Sequence, residues 1–432
     1  MNKNKYKNID SDVDMENNYS KESEELNEKY NKSNLIVIFC IREFLYLFIK
    51  VKNNISYDII NFDSNDEMNN FFNKTKSLII KENAKEKVKK YIKNEEYFNS
   101  LFLLQNTLIK YCPNFTNQVK NYYYSHNCFI EYIKTKINKY SLKINENEII
   151  NWLFEEKSFP LKYKKNNDKN KKYKLISIDD YKNKFIHKFF FSDKFKFNFY
   201  DGKKENMFYY IPSAELSKIP LENIPILYNL VILRTLNVNY IQLDSVEINI
   251  SITNNIFCLL NPKKDLKDTE KKILPFIKKN NINCIYSREP SDTEMEEIIK
   301  NKLFYIYCGH GDSSKYLKRE YIEKNKINFL TFLFGCSSAN TRLISKKDSQ
   351  PFSAPQLFLK QKCPFFLGFL WPVSSKDLDN FTIELLEILF TKKEKTYLVK
   401  EIILLKRKFS LRAFNGGALV MYANSDIKPN FS

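Results

Sequence analysis

Hydrophobic and polar positions divide the chain into two parts with different periodicities. From about residue 33 to residue 157, apolar residues recur three and four positions apart, as in YFNSLFLLQNTLIKYC. This spacing places apolar side chains on one face of a helix, so it predicts an α-helical domain over 31–160. After about residue 195, short continuous apolar runs alternate with amphipathic stretches. The second part is therefore predicted to be of the mixed α/β class.

The second part of the chain contains six apolar runs that predict β-strands. They are NIFCLLN (255–261), CIYS (284–287), LFYIYC (303–308), FLTFLF (329–334), FFLGFL (365–370) and ALVMY (418–422). Amphipathic stretches at 265–279, 291–302 and 376–390 predict helices, the second of which begins with a Ser291–Glu294 capping box. Apolar strands separated by helices imply a mainly parallel sheet that is covered on both faces.

Composition sets the remaining boundaries. Residues 1–30 are polar and mixed in charge, which predicts a disordered N-terminus. A Lys/Asn run, KYKKNNDKNKKYK, lies within a predicted linker at 161–194.

The strongest membrane candidate, LIVIFCIREFLYLFIKV (35–51), is interrupted by Arg42 and Glu43. Its apolar runs are shorter than the ~20 residues of a span, so we expect a buried helix there and no membrane association.

The formal net charge of +19 has two interpretations. A basic surface favours an acidic partner, and a weak nucleic-acid contact is one expectation. Alternatively, the excess is compositional, because it is nearly all lysine and asparagine is also abundant, as an AT-rich genome would encode.

The eight cysteines form no CxxC pairs, and the N-terminus has no apolar signal sequence. We therefore expect reduced thiols in an intracellular protein.

Two predicted strands end in reactive side chains. His310 follows LFYIYC by two residues, between Gly309 and Gly311, and Cys336 follows FLTFLF by two residues in FLFGCSSA. Ligands of an open α/β sheet bind beyond the carboxyl ends of its strands, where neighbouring strands would bring imidazole and thiol together. A thiol needs such a base nearby to become a nucleophilic thiolate near neutral pH.

Three interpretations of these residues are open at this point. One is a Cys–His dyad, and another is a histidine in a glycine turn together with a buried cysteine. The third is a metal site formed by Cys308, His310, Cys336 and Cys363, although zinc-type spacings are missing and Cys308 should alternate away from His310.

Six of the seven glycines lie between 309 and 417. Each is expected to meet a backbone need, either a positive φ or a close approach.

Five segments, in order, resemble those of separases, a family of caspase-like cysteine endopeptidases. They are KIPLENIPIL (218–227), LLNPKKDLKDTEKK (259–272), YIYCGHGDSSKYL followed by LFGCSSA, CPFFLGFLWPVSSKDLDNF (363–381) and FNGGALVMYA (414–423). The resemblance covers roughly residues 195–425 and implies a caspase-like α/β/α sandwich with a mainly parallel six-stranded sheet. It further implies a substrate-binding, pseudo-protease-like segment over 195–254 and an active protease domain over 255–432.

The resemblance also implies roles for single residues. Cys336 would be the nucleophile and His310 the general acid/base. The backbone N–H groups of Gly311 and Cys336 would form the oxyanion hole. Asp377 matches a family carboxylate that receives a substrate arginine, although an aspartate in the first turn of a helix is also a good dipole partner. No cofactor and no metal are expected.

Asp379, as the alternative carboxylate, and Trp371 are the other candidate substrate-binding residues. The segment at 363–381 that carries them departs from the family pattern at Pro372, where an aspartate is usual. Leu221 replaces a usual tryptophan, and the stretch at 312–316 lacks the usual glycine and glutamine. These departures concern the substrate pocket and leave the predicted dyad intact.

Separases cleave the kleisin subunit of cohesin after an arginine, in an acidic context, and so release sister chromatids at anaphase. The resemblance implies this activity in the cytoplasm and nucleus of mitotic cells, with a securin-like inhibitory chaperone as a partner. Relatives carry long helical-repeat N-terminal regions, so a chain of 432 residues is expected to be a short, minimal member. One alternative is a catalytically inactive scaffold that binds chromatin or cohesin, and another is a caspase-like peptidase with a different substrate.

Overall fold

The computed structural model describes part of the chain. The described residues are 24–25, 28–30, 32–41, 44–61, 70, 101, 104–124, 207–212, 216–224, 227, 230–241, 246–249, 255–340, 353–391, 398–410, 412–425 and 427–430. The predicted linker at 161–194 lies outside them, as do most of the predicted disordered N-terminus and most of the predicted helical domain.

Strands and helices alternate in the C-terminal part, as predicted. The strands are β1 (Asn34–Ile41), β2 (Phe44–Val51), β3 (Asn54–Asn61), β4 (Met207–Pro212), β5 (Val231–Arg234), β6 (Val246–Asn249), β7 (Ile256–Leu260), β8 (Asn283–Tyr286), β9 (Phe304–Cys308), β10 (Leu330–Phe334), β11 (Phe365–Phe369), β12 (Leu419–Ala423) and β13 (Ile427–Asn430). The helices are α1 (Pro113–Tyr124), α2 (Lys267–Lys279), α3 (Asp292–Asn301), α4 (Arg319–Lys324), α5 (Ala354–Lys360), α6 (Ser375–Thr391) and α7 (Leu398–Lys406). The six strands and three helices predicted from the sequence are confirmed, and so is the Ser291–Glu294 capping box.

One mixed sheet runs through the described residues in the order β3-β2-β1-β4-β5-β12-β11-β10-β9-β7-β8. Strands β11, β10, β9, β7 and β8 are parallel, and β12 is antiparallel to β11. These six strands form the predicted mainly parallel sheet. Because β12 also pairs with β5, the sheet continues into β4, β1 and the antiparallel β2 and β3.

Helices cover both faces of the six C-terminal strands. Phe334 of β10 contacts Phe381 of α6. Phe366 of β11 is level with Thr331, so it points to the other face, where it contacts Phe358 of α5. Every residue of β7, β9, β10, β11 and β12 is buried, as expected of strands covered on both sides. This arrangement is the predicted α/β/α sandwich.

The helix predicted at 35–51 is wrong, because these residues form β1 and β2. Leu45, Leu47 and Ile49 are buried, whereas the intervening Tyr46 and Phe48 are half-buried, which is the alternation of a strand. The predicted α-helical domain over 31–160 therefore begins with a three-stranded antiparallel unit, and α1 packs against β2 and β3. No helix among the described residues is long and apolar enough to cross a bilayer.

The register of β9 and β10 determines where their following loops lie. Phe334 is level with Cys308, so both loops leave the same edge of the sheet side by side. The loops touch, because a Cβ atom on Gly335 would lie 2.1 Å from the carbonyl oxygen of Gly311 and 2.9 Å from that of Gly309. No side chain can be accommodated at that distance, so the close approach expected of a glycine is confirmed at position 335.

A buried arginine joins β5 to β12 and to the turns that precede β5. Arg234 pairs with Glu222 through Nε (2.7 Å) and Nη2 (3.0 Å). The rings of Tyr210 and Tyr422 lie 5.3 Å and 5.7 Å from its guanidinium carbon. Since a buried charge is tolerated only when paired and hydrogen-bonded, this cluster fixes the junction between the two halves of the sheet.

A buried lysine makes a second connection across the same region. Lys406 at the end of α7 donates to Oδ1 of Asn223, whose Nδ2 donates to the carbonyl oxygen of Gly417 (2.8 Å). Burial lowers the pKa of Lys406 from 10.5 to about 8. The folded protein therefore releases this proton at a lower pH than the unfolded chain does.

Replacing Lys406 with methionine should flatten the alkaline pH dependence of stability. Between about pH 8 and pH 10.5 the unfolded state binds a proton that the folded state has released, so wild-type stability rises with pH in that window. The expected rise is roughly 3 kcal/mol, and Lys406→Met should lack it. Denaturant unfolding at a series of pH values measures the difference, with Lys408→Met, an exposed lysine, as the control. If the free energy of unfolding varied with pH in the same way for wild type and Lys406→Met, the lowered pKa of Lys406 would be contradicted.

Gly335→Ala should lose more stability than Gly311→Ala. Gly311 has a φ of +71° and open space around its Cα, so alanine there meets only the cost of left-handed backbone, about 1–2 kcal/mol. Alanine at 335 must displace a neighbouring backbone carbonyl, which costs on the order of 3 kcal/mol. Urea denaturation of both variants measures the two losses. Equal losses would show that the two loops do not touch in solution.

Candidate functional site

The predicted nucleophile and base lie on these two touching loops. Cys336 is half-buried, and its Sγ lies 3.6 Å from the carbonyl oxygen of Val373. His310 is exposed, and its Nε2 lies 3.1 Å from Oδ2 of Asp265. Among the described residues, the ring's hydrogen bond goes to this carboxylate rather than to the thiol. Catalytic pairs are often loose before substrate binds, so this geometry is compatible with a Cys–His dyad.

A buried serine holds the turn that carries Cys336. The hydroxyl of Ser338 donates to the carbonyl oxygen of Leu333 (2.9 Å) and accepts from the backbone N–H of Phe369 (3.0 Å). The N–H of Ala339 donates back to the carbonyl oxygen of Phe369 (2.9 Å). The turn after β10 is thus tied to the end of β11. Sequence reasoning missed Ser338, although a small hydroxyl residue two positions after a strand-end nucleophile could have signalled it.

The backbone around His310 is held by its own strand. The hydroxyl of Tyr307 donates to the carbonyl oxygen of His310 (2.7 Å), and burial raises the pKa of this tyrosine, so it stays a donor. The positive φ of Gly311 then turns the chain away, as expected of a glycine at this position. The N–H groups of Gly311 and Cys336 lie in the two contacting loops. Their role as an oxyanion hole stays a prediction.

The carboxylate beside the predicted base comes from the loop between β7 and α2. Buried Asn261 organises this loop: its N–H donates to the carbonyl oxygen of Cys308 (2.8 Å). Its carbonyl oxygen accepts from the N–H of Lys264 (3.0 Å), and its Oδ1 accepts from the N–H of Leu266 (2.9 Å). Asn261 therefore fixes Asp265 from both sides. The resemblance covered this loop but assigned Asp265 no role; a Pro-x-x-Asp turn directly after a strand was the available signal.

Asp377 is connected to the thiol through the segment after β11. The N–H of Asp377 donates to Oγ of Ser374 (3.3 Å), the residue next to Val373. Its carboxylate accepts from the N–H (3.2 Å) and the hydroxyl (2.6 Å) of Ser410 and from Nδ2 of Asn415 (2.6 Å). Among the described residues, the partners of this buried carboxylate are all uncharged. Asp377 also lies in the first turn of α6, so both roles considered from the sequence remain compatible with its position.

Asp379 and Trp371 face into the protein. Asp379 accepts from Oγ1 of Thr269 (2.8 Å) and pairs with Nζ of Lys272 (3.1 Å), which joins α6 to α2. Trp371 is only 1% exposed, and its Nε1 donates to the carbonyl oxygen of Phe414 (3.1 Å). Both contacts are structural, and substrate binding by either residue stays a prediction.

Two cysteines considered as metal ligands lie in the core of the sheet. Cys363 contacts Oγ1 of Thr331 (3.5 Å), and burial raises the pKa of its thiol to about 12. Cys308 is 1% exposed. In the described part of the chain, no three metal-ligating side chains come together.

A cavity of about 510 Å³ opens beside the His310–Asp265 pair. It is lined by Pro262, Lys263, Lys264, Asp265, Arg288, Glu289 and Lys315. Four cations outnumber two carboxylates, so the cavity is positively charged. An acidic group would be attracted to this edge of the site.

Comparison with known proteins places the chain in a family. The family model described as "Separin, protease domain" matches residues 60–378, more than half of the chain. The separin of Saccharomyces cerevisiae is 31% identical over 145 residues, which is 32% of this chain and 9% of that protein. The separins of Schizosaccharomyces pombe and Mus musculus are 28% and 26% identical over 170 and 183 residues, or 38% and 40% of this chain. The matched segments span less than a tenth of these relatives.

Solved structures share the fold. The crystal structure of the Saccharomyces cerevisiae separase–securin complex at 3.0 Å resolution matches 96% of this chain and 31% of that chain, with a TM-score of 0.63 and 19% identity. The 2.6 Å structure of the same complex matches 98% and 32%, with a TM-score of 0.59. The resemblance found in the sequence is thereby confirmed, together with the caspase-like fold it implied. The chain belongs to the separin family and carries the protease domain of that family.

Proposed function

We propose that the chain is a separase-like cysteine endopeptidase with Cys336 as the nucleophile and His310 as the general acid/base. The register of β9 and β10 carries this proposal, because it puts the two residues on touching loops at the carboxyl edge of the sheet. In the first step, His310 takes the thiol proton and the thiolate attacks the carbonyl carbon of the scissile peptide. The N–H groups of Gly311 and Cys336 donate to the oxygen that becomes negative.

The remaining steps use the same two side chains and one water molecule. The imidazolium of His310 gives its proton to the leaving nitrogen, the C–N bond breaks, and a thioester joins Cys336 to the acyl part of the substrate. His310 then takes a proton from water, and the resulting hydroxide attacks the thioester. The C–S bond breaks, the new C-terminus leaves, and the proton returns to sulfur.

For substrate recognition, we propose that Asp377 receives the side chain of an arginine. Its carboxylate is buried, its described partners are neutral, and Ser374 and Val373 connect it to the thiol. An arginine would supply the missing positive charge in a two-pronged hydrogen bond. Asp379 is the poorer candidate, because Lys272 already pairs with it.

The proposed substrate is the kleisin subunit of cohesin, cut after an arginine at anaphase in cytoplasm and nucleus. Family membership supports this, and the positively charged cavity beside His310 suits acidic residues near the cleavage site. We also propose a securin-like inhibitory chaperone as a partner, because two of the solved structures that share the fold are separase–securin complexes.

Loss of either predicted catalytic side chain should abolish cleavage. We expect wild type to cut both a kleisin fragment and peptides with arginine at P1. The cleavage rate of Cys336→Ser and of His310→Ala should be lower by roughly 10³-fold or more. Cys284→Ser, which alters the other half-buried cysteine of the described residues, should retain full activity. Circular dichroism checks folding. Intact cleavage by either site variant would disprove the mechanism, and salt-sensitive binding to chromatin without proteolysis would favour the inactive-scaffold alternative.

Asparagine substitutions should separate the two candidate carboxylates. Asp377→Asn should lower kcat/KM for arginine peptides by roughly 10- to 100-fold, because it removes the charge that receives the guanidinium. Asp379→Asn should keep the arginine preference and cost about 1 kcal/mol of stability through the lost pair with Lys272. Peptides with arginine, lysine or glutamine at P1, together with urea denaturation, measure both effects. An unchanged arginine preference in Asp377→Asn would remove Asp377 from the pocket.

A further inference from the structure

We propose that Asp265 is a positioning residue for His310, so that a Cys–His–Asp arrangement operates instead of a dyad. This inference rests on the proposed peptidase function and names a further residue of the same site. It starts from the 3.1 Å contact between Nε2 of His310 and Oδ2 of Asp265.

The contact fixes which ring nitrogen meets the thiol. A carboxylate only accepts hydrogen bonds, so Nε2 of His310 must carry the proton in this contact. The neutral ring then has its lone pair on Nδ1, which is the nitrogen left to take a proton from Cys336. Once the ring has accepted that proton, Asp265 faces a positive charge that it stabilises, as the carboxylate of a catalytic triad does.

The loop is built to hold the carboxylate in place. Asn261 bonds the residues directly before and after Asp265 and is itself bonded to the end of β9, the strand that leads to His310. Two residues of the loop adopt left-handed backbone, Asn261 with a φ of +47° and Lys264 with a φ of +64°. Such conformations are costly away from glycine and concentrate at functional sites.

Other roles do not account for Asp265. Its side chain and that of His310 are 52% and 49% exposed, and an ion pair so exposed adds little stability. It does not cap α2, whose N-cap is Leu266, without a side-chain hydrogen bond.

Other carboxylates of the neighbouring loops are engaged elsewhere. Asp312 accepts from the N–H and the hydroxyl of Ser314, and Glu289 pairs with Lys315. Asp265 is the carboxylate that reaches the ring of His310 among the residues described.

Steady-state kinetics on an arginine peptide test the proposal. We expect Asp265→Ala to lower kcat by roughly 10- to 100-fold, a loss of the size seen when the outer partner of a metal-bound histidine is removed, with KM changed less than about twofold. Asp265→Asn keeps an acceptor oxygen but loses the charge, so its kcat should lie between those of wild type and Asp265→Ala. Asp265→Glu should recover part of the loss. Asp268→Ala removes an exposed carboxylate three residues away and should behave as wild type.

Alkylation by iodoacetamide gives a readout that needs no substrate. Mass spectrometry follows modification at Cys336, and we expect it to slow several-fold in Asp265→Ala and in His310→Ala, because both impair formation of the thiolate. Unchanged kcat together with unchanged alkylation in Asp265→Ala would overturn the inference, and so would a loss confined to KM. If wild type cleaves no peptide but alkylation still slows in Asp265→Ala, the proposed function fails and the inference on Asp265 stands.

Discussion

The site depends on one close contact, between the Cα of Gly335 and the backbone carbonyls of the loop at 309–311. Parallel pairing of β9 and β10 brings the loops to the same edge, and the missing side chain lets them touch. Interiors are close-packed, so a methyl group between the loops would separate imidazole and thiol. Ser338 and Tyr307 reinforce the contact, each by a hydrogen bond to its own strand or loop.

Much of the C-terminal half could be predicted from the sequence because its strands are buried on both faces. Such strands appear as continuous apolar runs bounded by amphipathic helices, and these runs marked all six. Strands β1 and β2 are apolar runs too, but no glycine marks the turns of these hairpins. Lys52 adopts a φ of +53° in the turn between β2 and β3, where a glycine or an Asn-Gly pair would have announced a hairpin. In a chain with only seven glycines, most turns are not marked by a glycine.

This substitution of other residues for glycine recurs. The described residues that adopt positive φ without being glycine are Lys52, Asn261, Lys264, Asn281, Ser287, Ser313, Ser337 and Lys362. Among them, Ser337 follows the predicted nucleophile, and Asn261 and Lys264 shape the loop of Asp265. The motifs identified His310 and Cys336 because both follow apolar runs. Asp265 and Ser338 escaped notice because their contacts depend on loop conformation, which periodicity does not encode. Trp371 belongs to a motif, yet its burial follows from packing against Phe414.

The N-terminal half of the sheet also contributes to the site, although its strands end at the opposite edge. Strands β4 and β5 are parallel to β12, which is antiparallel to β11, so their carboxyl ends lie away from His310 and Cys336. The connection runs through Asn223, which accepts from Lys406 and donates to the carbonyl oxygen of Gly417. Two residues before Gly417, Asn415 donates to the carboxylate of Asp377. The buried polar contacts that hold the two halves together thus end at the proposed arginine pocket. Since each of these groups is buried and hydrogen-bonded, moving one leaves another unpaired. Asp377 is therefore held by buried contacts that reach beyond its own helix, to Ser410 and Asn415.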